Sequence, residues 1–304
     1  MPELPDIEAY LGALRPRVVD HLLSRILIKG PFLLRTFDPP VEAAEGKRVV
    51  SVERLGKRIV LGLDGELFLV IHLMIAGRLL WKAAGTKPTG KIDLARFDFE
   101  EFGVLVLTEA SPKKRASLHV IRGREALAAH DRGGIDVLAC SSVDFGRVLT
   151  SENRTLKRRL TDPRAFSGIG NAYSDEILHA ARLSPIKLTN SLKPDEIARL
   201  HENAVRVLKD WSDRLRTEFK DRFPSVGEIT AFRPEFAVHG KYGKPCPVCG
   251  SPVQRIVHAE NETNYCATCQ TGGKVLADRS LSRLLKDDWP RTIEEWESDV
   301  GPTQ

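Results

Sequence analysis

Cys246-Pro-Val-Cys249, followed after sixteen residues by Cys266-Ala-Thr-Cys269, is the stretch that most constrains the architecture of this chain. Two knuckles with this spacing can place four thiolates tetrahedrally around one Zn²⁺, and a short module with little core of its own needs such an ion to fold. With cysteine in every ligand position no coordination site is left for water, so the expected cofactor is one structural zinc. The fifth cysteine, Cys140, stands alone. In a reducing compartment such a cluster reads as a metal site and not as a disulfide framework, and the expected location, from the lack of an apolar span and the acidic N-terminus, is cytoplasmic, or nucleoid-associated in a bacterium.

Upstream of the finger the hydrophobic period changes twice. Ile7, Tyr10, Leu11 and Leu14 have the spacing of an amphipathic helix over Asp6 to Leu14. From about residue 22 to 120 short β-rich runs dominate: Arg48 to Leu55, Arg58 to Leu63, Glu66 to Leu73, Ile92 to Phe99 and Val104 to Thr108, with turn signals at Asp64-Gly65 and Phe102-Gly103. Such closely spaced strands predict an antiparallel sandwich or barrel. After the joint Asp131-Arg132-Gly133-Gly134 the period becomes helical, with runs at about 143 to 150, 151 to 161, 172 to 182 and 194 to 219. The expected class is therefore α+β multidomain, with a joint near 133 and the finger beyond a short polar connection after Phe223-Pro224. The tail from Gly272 onward, including a basic segment from Asp278 to Lys286, carries no interpretable motif.

The 304 residues suffice for two or three cores, and 42% hydrophobic with 29% charged residues is ordinary for a globular chain. A net charge of +5 permits a nucleic-acid partner without requiring one. No apolar run approaches the length of a membrane span, and Glu3, Asp6 and Glu8 stand where a signal peptide carries positive charge, so no membrane partner is expected.

Three further features carry chemistry. Met1 precedes a small residue, and its removal would leave Pro2 with a secondary amine beside the Glu3 carboxylate; an α-amine titrates near ~8 and is a far better nucleophile at neutral pH than a lysine. A stiffened terminus is the plainer reading of Pro2 and Pro5. Gly168-Ile-Gly-Asn171-Ala-Tyr173, next to the basic string Arg154, Lys157, Arg158, Arg159 and Arg164, offers backbone amides and an Asn donor to phosphate, although such a turn also serves helix packing alone. Lys57, at a strand boundary, either faces water or serves a developing negative charge as phosphate ligand or proton donor.

Pro2-Glu-Leu-Pro-Asp-Ile-Glu8, Gly56-Lys57, Ile71-His72-Leu73, Gly168 to Tyr173, Val238-His-Gly-Lys241 and the four-cysteine finger, in this order and spacing, resemble the formamidopyrimidine-DNA glycosylase / endonuclease VIII family from residue 2 to about 272. The resemblance implies an N-terminal catalytic β-sandwich domain with an N-terminal helix (1–133), a helix-two-turn-helix DNA-binding domain (134–232), a zinc finger (236–272) and a C-terminal extension (273–304), acting as a monomer on damaged double-stranded DNA. It implies Pro2 as the Schiff-base nucleophile at C1′, Glu3 as the acid at the sugar ring oxygen, Lys57 as phosphate ligand and proton donor in elimination, and His72 and Asn171 as phosphate ligands, with Lys157 in the basic surface. The course would be base removal, then β-elimination with or without δ-elimination, on formamidopyrimidine, 8-oxoguanine or oxidised pyrimidines. Departures are equally specific. Asn261, between Glu260 and Glu262, stands where the family carries a phosphate-gripping arginine, which puts δ-elimination in doubt. Ile75 replaces the methionine wedge, and Thr108-Glu-Ala-Ser-Pro-Lys-Lys-Arg115 replaces the run that faces the orphan base, leaving Lys113, Lys114 or Arg115 for that task. Lys91 stands at the position of a DNA-contacting histidine. An AP lyase with little base-excision activity, and a non-catalytic zinc-ribbon protein that binds damaged DNA, are the competing readings.

Overall fold

The structure is a computed structural model describing residues 1–86, 90–258, 261–276 and 290–300. The described chain divides into two compact units, Met1–Gly133 with Lys209–Ala231, and Gly134–Leu208 with the segment from Phe232 onward.

In the first unit, helix α1 (Leu4–Val18) opens directly on the N-terminal motif. Glu3 is its N-cap and Asp6 lies three residues on, so the two carboxylates form a reciprocal capping box; the Glu3 N–H donates to Asp6 Oδ2 at 2.9 Å. Pro5 falls in the first turn, where its missing N–H costs nothing. Nine strands follow: β1 (Leu22–Leu23), β2 (Arg25–Ile28), β3 (Lys47–Leu55), β4 (Arg58–Leu63), β5 (Leu67–His72), β6 (Gly77–Lys82), β7 (Asp93–Phe99), β8 (Gly103–Glu109) and β9 (Ser117–Arg122). They form a five-stranded sheet in the order β1-β3-β4-β5-β9 and a four-stranded sheet in the order β2-β7-β8-β6, with all strand pairs antiparallel. Alternate residues such as Ile59, Leu61 and Leu63 on β4 and Leu67, Leu69 and Ile71 on β5 share one core with Phe97, Phe99, Leu105 and Leu107 of the other sheet. Ile7, Tyr10, Leu11 and Leu14 of α1 enter the same core, together with Leu215, Phe219 and Ile229. The opposite face of the larger sheet carries a second cluster, Val60, Phe68, Val70 and Ile121, under Leu127 of the short helix α2 (Arg124–Ala128).

The second unit holds α3 (Ser142–Thr150), α4 (Leu156–Leu160), α5 (Asn171–Ala180) and the start of the long helix α6 (Pro194–Glu218), then the hairpin β10 (Val253–His258) and β11 (Asn261–Cys266) and the short helix α7 (Ala267–Thr271). The helical run expected over 151 to 161 is present only as α4. Thr155 is drawn into an antiparallel bridge with Leu188, and the Arg159 guanidinium folds back on the Val148 carbonyl and Ser151 Oγ, so tertiary contacts break the helix that local pattern would continue.

The tail is built into the finger. Val275 and Leu276 on one side and Ile293 and Trp296 of α8 (Ile293–Val300) on the other pack against Tyr265 and Ala267, and Tyr265 Oη accepts the Leu276 N–H at 2.7 Å. The basic segment 278–286 lies outside the described residues. Because this cluster is small, each large side chain in it matters: Trp296→Ala should remove about 3 kcal/mol of finger stability, read as earlier loss of finger amides in hydrogen exchange, whereas unchanged protection would show that the tail only rests on the surface.

Candidate DNA-repair site and metal centre

The N-terminal amine lies among charges of both signs. Burial lowers the Met1 amine below its ordinary value of 8.0; Arg78 and Lys57 push the same way, and Glu3 and Asp6 oppose them. Glu3 is 3% exposed and Pro2 is buried. Lys57 reaches this region because Gly56-Lys57 is a two-residue hairpin turn between paired Leu55 and Arg58; Gly56 has φ +63, a conformation that a side chain would strain. His72, at the end of β5, is paired with Arg58 and is pushed down to about 4 by burial, with Arg58, Lys57 and Arg132 adding to the effect. At neutral pH it is therefore a neutral hydrogen-bonding group.

The β5–β6 connection projects Ile75. The Gly77 N–H closes it on the Leu73 carbonyl at 2.8 Å, Met74 has φ +52, and a Cβ on Gly77 would lie 2.2 Å from the Leu73 oxygen, so glycine is obligatory there. Arg78 steadies the turn from behind, donating to the Ile75 and Gly77 carbonyls at 3.2 and 2.7 Å. Ile75 is left 54% exposed at the tip, while Met74 is half-buried. The loop from 110 to 116 is tied down by a residue that pattern reading passed over. Buried Glu109 accepts from the Arg115 and Ala116 N–H groups, both at 3.0 Å, and the Lys114 ammonium folds back onto the Glu109 carbonyl. Arg115 is exposed, as is Lys91 just before β7.

In the second unit the expected phosphate ligands belong to one buried polar hub. Lys157 Nζ donates to the Asn171 carbonyl at 2.5 Å and to Asp175 Oδ1 at 2.6 Å. The other Asp175 oxygen faces His239 Nδ1 at 2.7 Å and accepts the Asn264 N–H of β11 at 3.2 Å. Asn171 Nδ2 donates to the Glu262 carbonyl at 2.9 Å. The neighbouring Glu176 carboxylate takes the N–H groups of Ala237, Val238 and His239. Asp175 is thus the hinge pin of the finger hairpin, and its partners lie too far away in sequence for local pattern to reveal it. Asn261 is exposed at the end of β11 opposite His258, and the Glu262 carboxylate neutralises Arg255 at 3.3 Å.

The four cysteine sulfurs, from Cys246, Cys249, Cys266 and Cys269, lie within 4.8 Å of one another, with Cys249–Cys266 at 3.4 Å and Cys246–Cys269 at 4.0 Å. Sulfurs bound tetrahedrally at ~2.3 Å from a zinc ion are about 3.8 Å apart, so the donor set fits a structural metal. His179 Nε2 sits 3.3 Å from Cys246 Sγ, an outer contact of the type that orients a metal-bound thiolate.

A two-sheet domain opening on an N-terminal helix, in one chain with a helical unit bearing a four-cysteine finger, is the architecture of the helix-two-turn-helix DNA glycosylases. Family models agree in order: the formamidopyrimidine-DNA glycosylase N-terminal domain over residues 1–116, its H2TH domain over 139–214, and the zinc finger found in FPG and IleRS over 243–272. The formamidopyrimidine-DNA glycosylase of Thermus thermophilus is 34% identical over 280 residues, covering 90% of this chain and all of that protein. The crystal structure of the Thermus thermophilus Fpg protein superposes with TM-score 0.73 at 32% identity over 88% of this chain and 98% of that one. That of a Lactococcus lactis Fpg bound to Fapy-dG-containing DNA does so with TM-score 0.78 at 25% identity over 89% and 100%. The chain belongs to the formamidopyrimidine-DNA glycosylase family and is a DNA glycosylase/AP lyase of base repair. Among the described residues no helix is long and apolar enough to cross a membrane.

Proposed function

We propose that the chain, as a monomer, excises oxidised bases from damaged double-stranded DNA and cleaves the resulting abasic site through a Schiff base at Pro2, with residues 1–133 as catalytic domain and 134–232 and 236–272 as DNA-binding domains. The observation that carries this reading is the environment of the N-terminal amine: burial and the cations Arg78 and Lys57 favour its unprotonated form beside the Glu3 carboxylate. Removal of Met1 takes that amine away and leaves the Pro2 nitrogen, one residue on and directly before Glu3, as the terminal secondary amine, whereas with Met1 in place the Pro2 nitrogen is an amide without nucleophilicity. The Pro2 nitrogen attacks C1′ and the base leaves with the bonding pair; Glu3 protonates the ring oxygen as the sugar opens to the iminium, and loss of the C2′ proton then forms the C2′–C3′ double bond and expels the 3′ phosphate, with Lys57 as proton donor in that elimination. His72, Lys157 and Asn171 serve backbone phosphates, with Lys157 and Asn171 held in position by Asp175 and Glu262.

Ile75 is the apolar wedge that fills the stack when the base is flipped, on a turn stiff enough to bear the load. Arg115 and Lys91 are exposed cations for the strands on either side, while Lys114, turned onto Glu109, shapes the loop that presents them. The metal is a single zinc ion, and the location is the cytoplasm or nucleoid. With Asn261 and an Arg255 paired to Glu262 among the described residues of the finger hairpin, the grip on the phosphates beside the lesion is weakened, so β-elimination is the main scission and δ-elimination the minor one.

End-group analysis on duplexes bearing formamidopyrimidine, 8-oxoguanine, oxidised pyrimidine or a plain abasic site tests this. The expected product is a 3′ unsaturated aldehyde with a 5′ phosphate. A 3′ phosphate as the main end contradicts the role given to Asn261. Scission confined to the abasic duplex favours the AP-lyase reading, which the altered Ile75 and 108–115 regions motivate.

A further inference from the structure

Beside His72 and Lys57, the larger sheet of the first unit carries a concentration of positive and imidazole groups that the reaction above does not use. On its outer face, Val60, Val70 and Ile121 are covered by Leu127, but the same face continues past that cover to Arg58 on β4, His72 on β5 and His119 on β9. The chain returns to this end of the sheet after α2. Arg58 Nη1 donates to the His130 carbonyl at 3.0 Å, and the His119 and His130 rings meet edge-on with centroids 5.0 Å apart. Arg132 acts on both Arg58 and His72, Arg35 acts on His119, Lys57 acts on His72, and Asp131 is the carboxylate that offsets Arg58.

Crowding of this kind has a cost. Burial and the neighbouring cations push His72 to about 4 and move His119 and His130 below their ordinary value, so the imidazoles stay neutral rather than add to the charge. Exposed Arg132 and Arg35 alone would suit a solvated basic face. Half-buried Arg58 and His119 do not, and His119 Nδ1 is buried without a hydrogen-bond partner among the described residues. With the other ring nitrogen of His119 hydrogen-bonded to the Val70 backbone, Nδ1 becomes a donor on protonation, and an oxygen-rich anion among these cations is what would favour that protonated form.

We infer that Arg58, His119, His130 and Arg132 form a phosphate-binding site beside His72, and that its occupant is a phosphodiester of bound DNA. The assignment to DNA rests on the glycosylase reading; the anion site does not. A bound phosphate raises the proton affinity of the facing imidazoles, which are held below their ordinary value of 6.5 without it, so binding takes up protons and tightens as pH falls.

The test has two arms, both on the full-length protein. In the first, ring resonances of His72, His119 and His130 are followed by NMR during titration with inorganic phosphate at constant ionic strength. Saturable shifts at His119 and His130 that disappear in Arg132→Gln are expected; no saturable shift, or shifts that persist unchanged in both Arg132→Gln and His119→Gln, overturns the site. In the second, affinity for a duplex containing an uncleavable abasic analogue is measured against salt. The doubly substituted His119→Gln/Arg132→Gln protein should lose about 0.9 from the slope of log K against log salt, the amount for one phosphate. An unchanged slope overturns the assignment to DNA. A native protein that holds no duplex at all would instead sink the glycosylase reading, and the first arm would still decide the anion site.

Discussion

Glu3→Gln lowers the rate of base excision and strand scission by about 10³-fold, in the range for loss of a positioned general acid, while leaving the fold in place. The substitution is chosen because Glu3 has two jobs. As N-cap of α1 it exchanges hydrogen bonds with Asp6, and as a buried carboxylate it lies beside the terminal amine. Glutamine keeps the volume and an acceptor oxygen, so the cap persists at a cost of under about 1 kcal/mol. What it removes is the carboxyl group's ability to take up and hand on a proton at the sugar ring oxygen; loss of its charge lowers the amine's proton affinity further and so does not itself slow the attack. The expected signature is a normal melting temperature, duplex affinity within a few-fold of native, and single-turnover excision reduced by the full factor. A variant that keeps a tenth or more of native activity would remove Glu3 from the chemistry.

Stripping the metal produces the second large effect. Coordination of a four-thiolate zinc site contributes on the order of 10 kcal/mol, all of it folding free energy for a module this small. Chelation, or Cys249→Ser, should therefore release β10, β11 and α7 together. Tyr265 then loses its packing with Trp296, and Asn171 loses its acceptor on Glu262. The sandwich has its own large core and keeps its fold. Zinc content by emission spectroscopy, hydrogen exchange over 244–276 and duplex affinity should fall together, while protection in β4, β5 and β8 remains. A chelated protein that keeps its finger protected would show that the apolar cluster with the tail, not the metal, holds that module.

What the sequence discloses depends on how local the determinant is. Strand β4 is readable to the residue because Asp64-Gly65 and Gly56-Lys57 punctuate an apolar run, and α6 is readable because Pro194 marks its first turn and one face is apolar throughout. The cysteine spacing carries its own geometry, so the metal centre is visible before any fold. Asp175 is not, since it acts on Lys157, His239 and Asn264 at separations of 18, 64 and 89 residues. Glu109 hides for a related reason: a carboxylate that caps a loop through backbone amides leaves no periodic trace. The tail reads as featureless because, among the described residues, its packing is carried by Val275, Leu276, Ile293 and Trp296, which fall in two short segments brought together by the bridge of Lys274 with Thr292.

Covalent trapping decides whether Pro2 is the nucleophile. Native protein with Met1 removed, as verified by mass spectrometry, is incubated with a duplex containing an abasic site in the presence of sodium borohydride, and the adduct is digested and mapped. The expected result is a stable adduct mapped to the Pro2 nitrogen in the N-terminal peptide, and no adduct at that atom when Met1 is retained and the Pro2 nitrogen is an amide. An adduct mapped to Lys57 or another lysine, or none at all with the processed terminus, would contradict it.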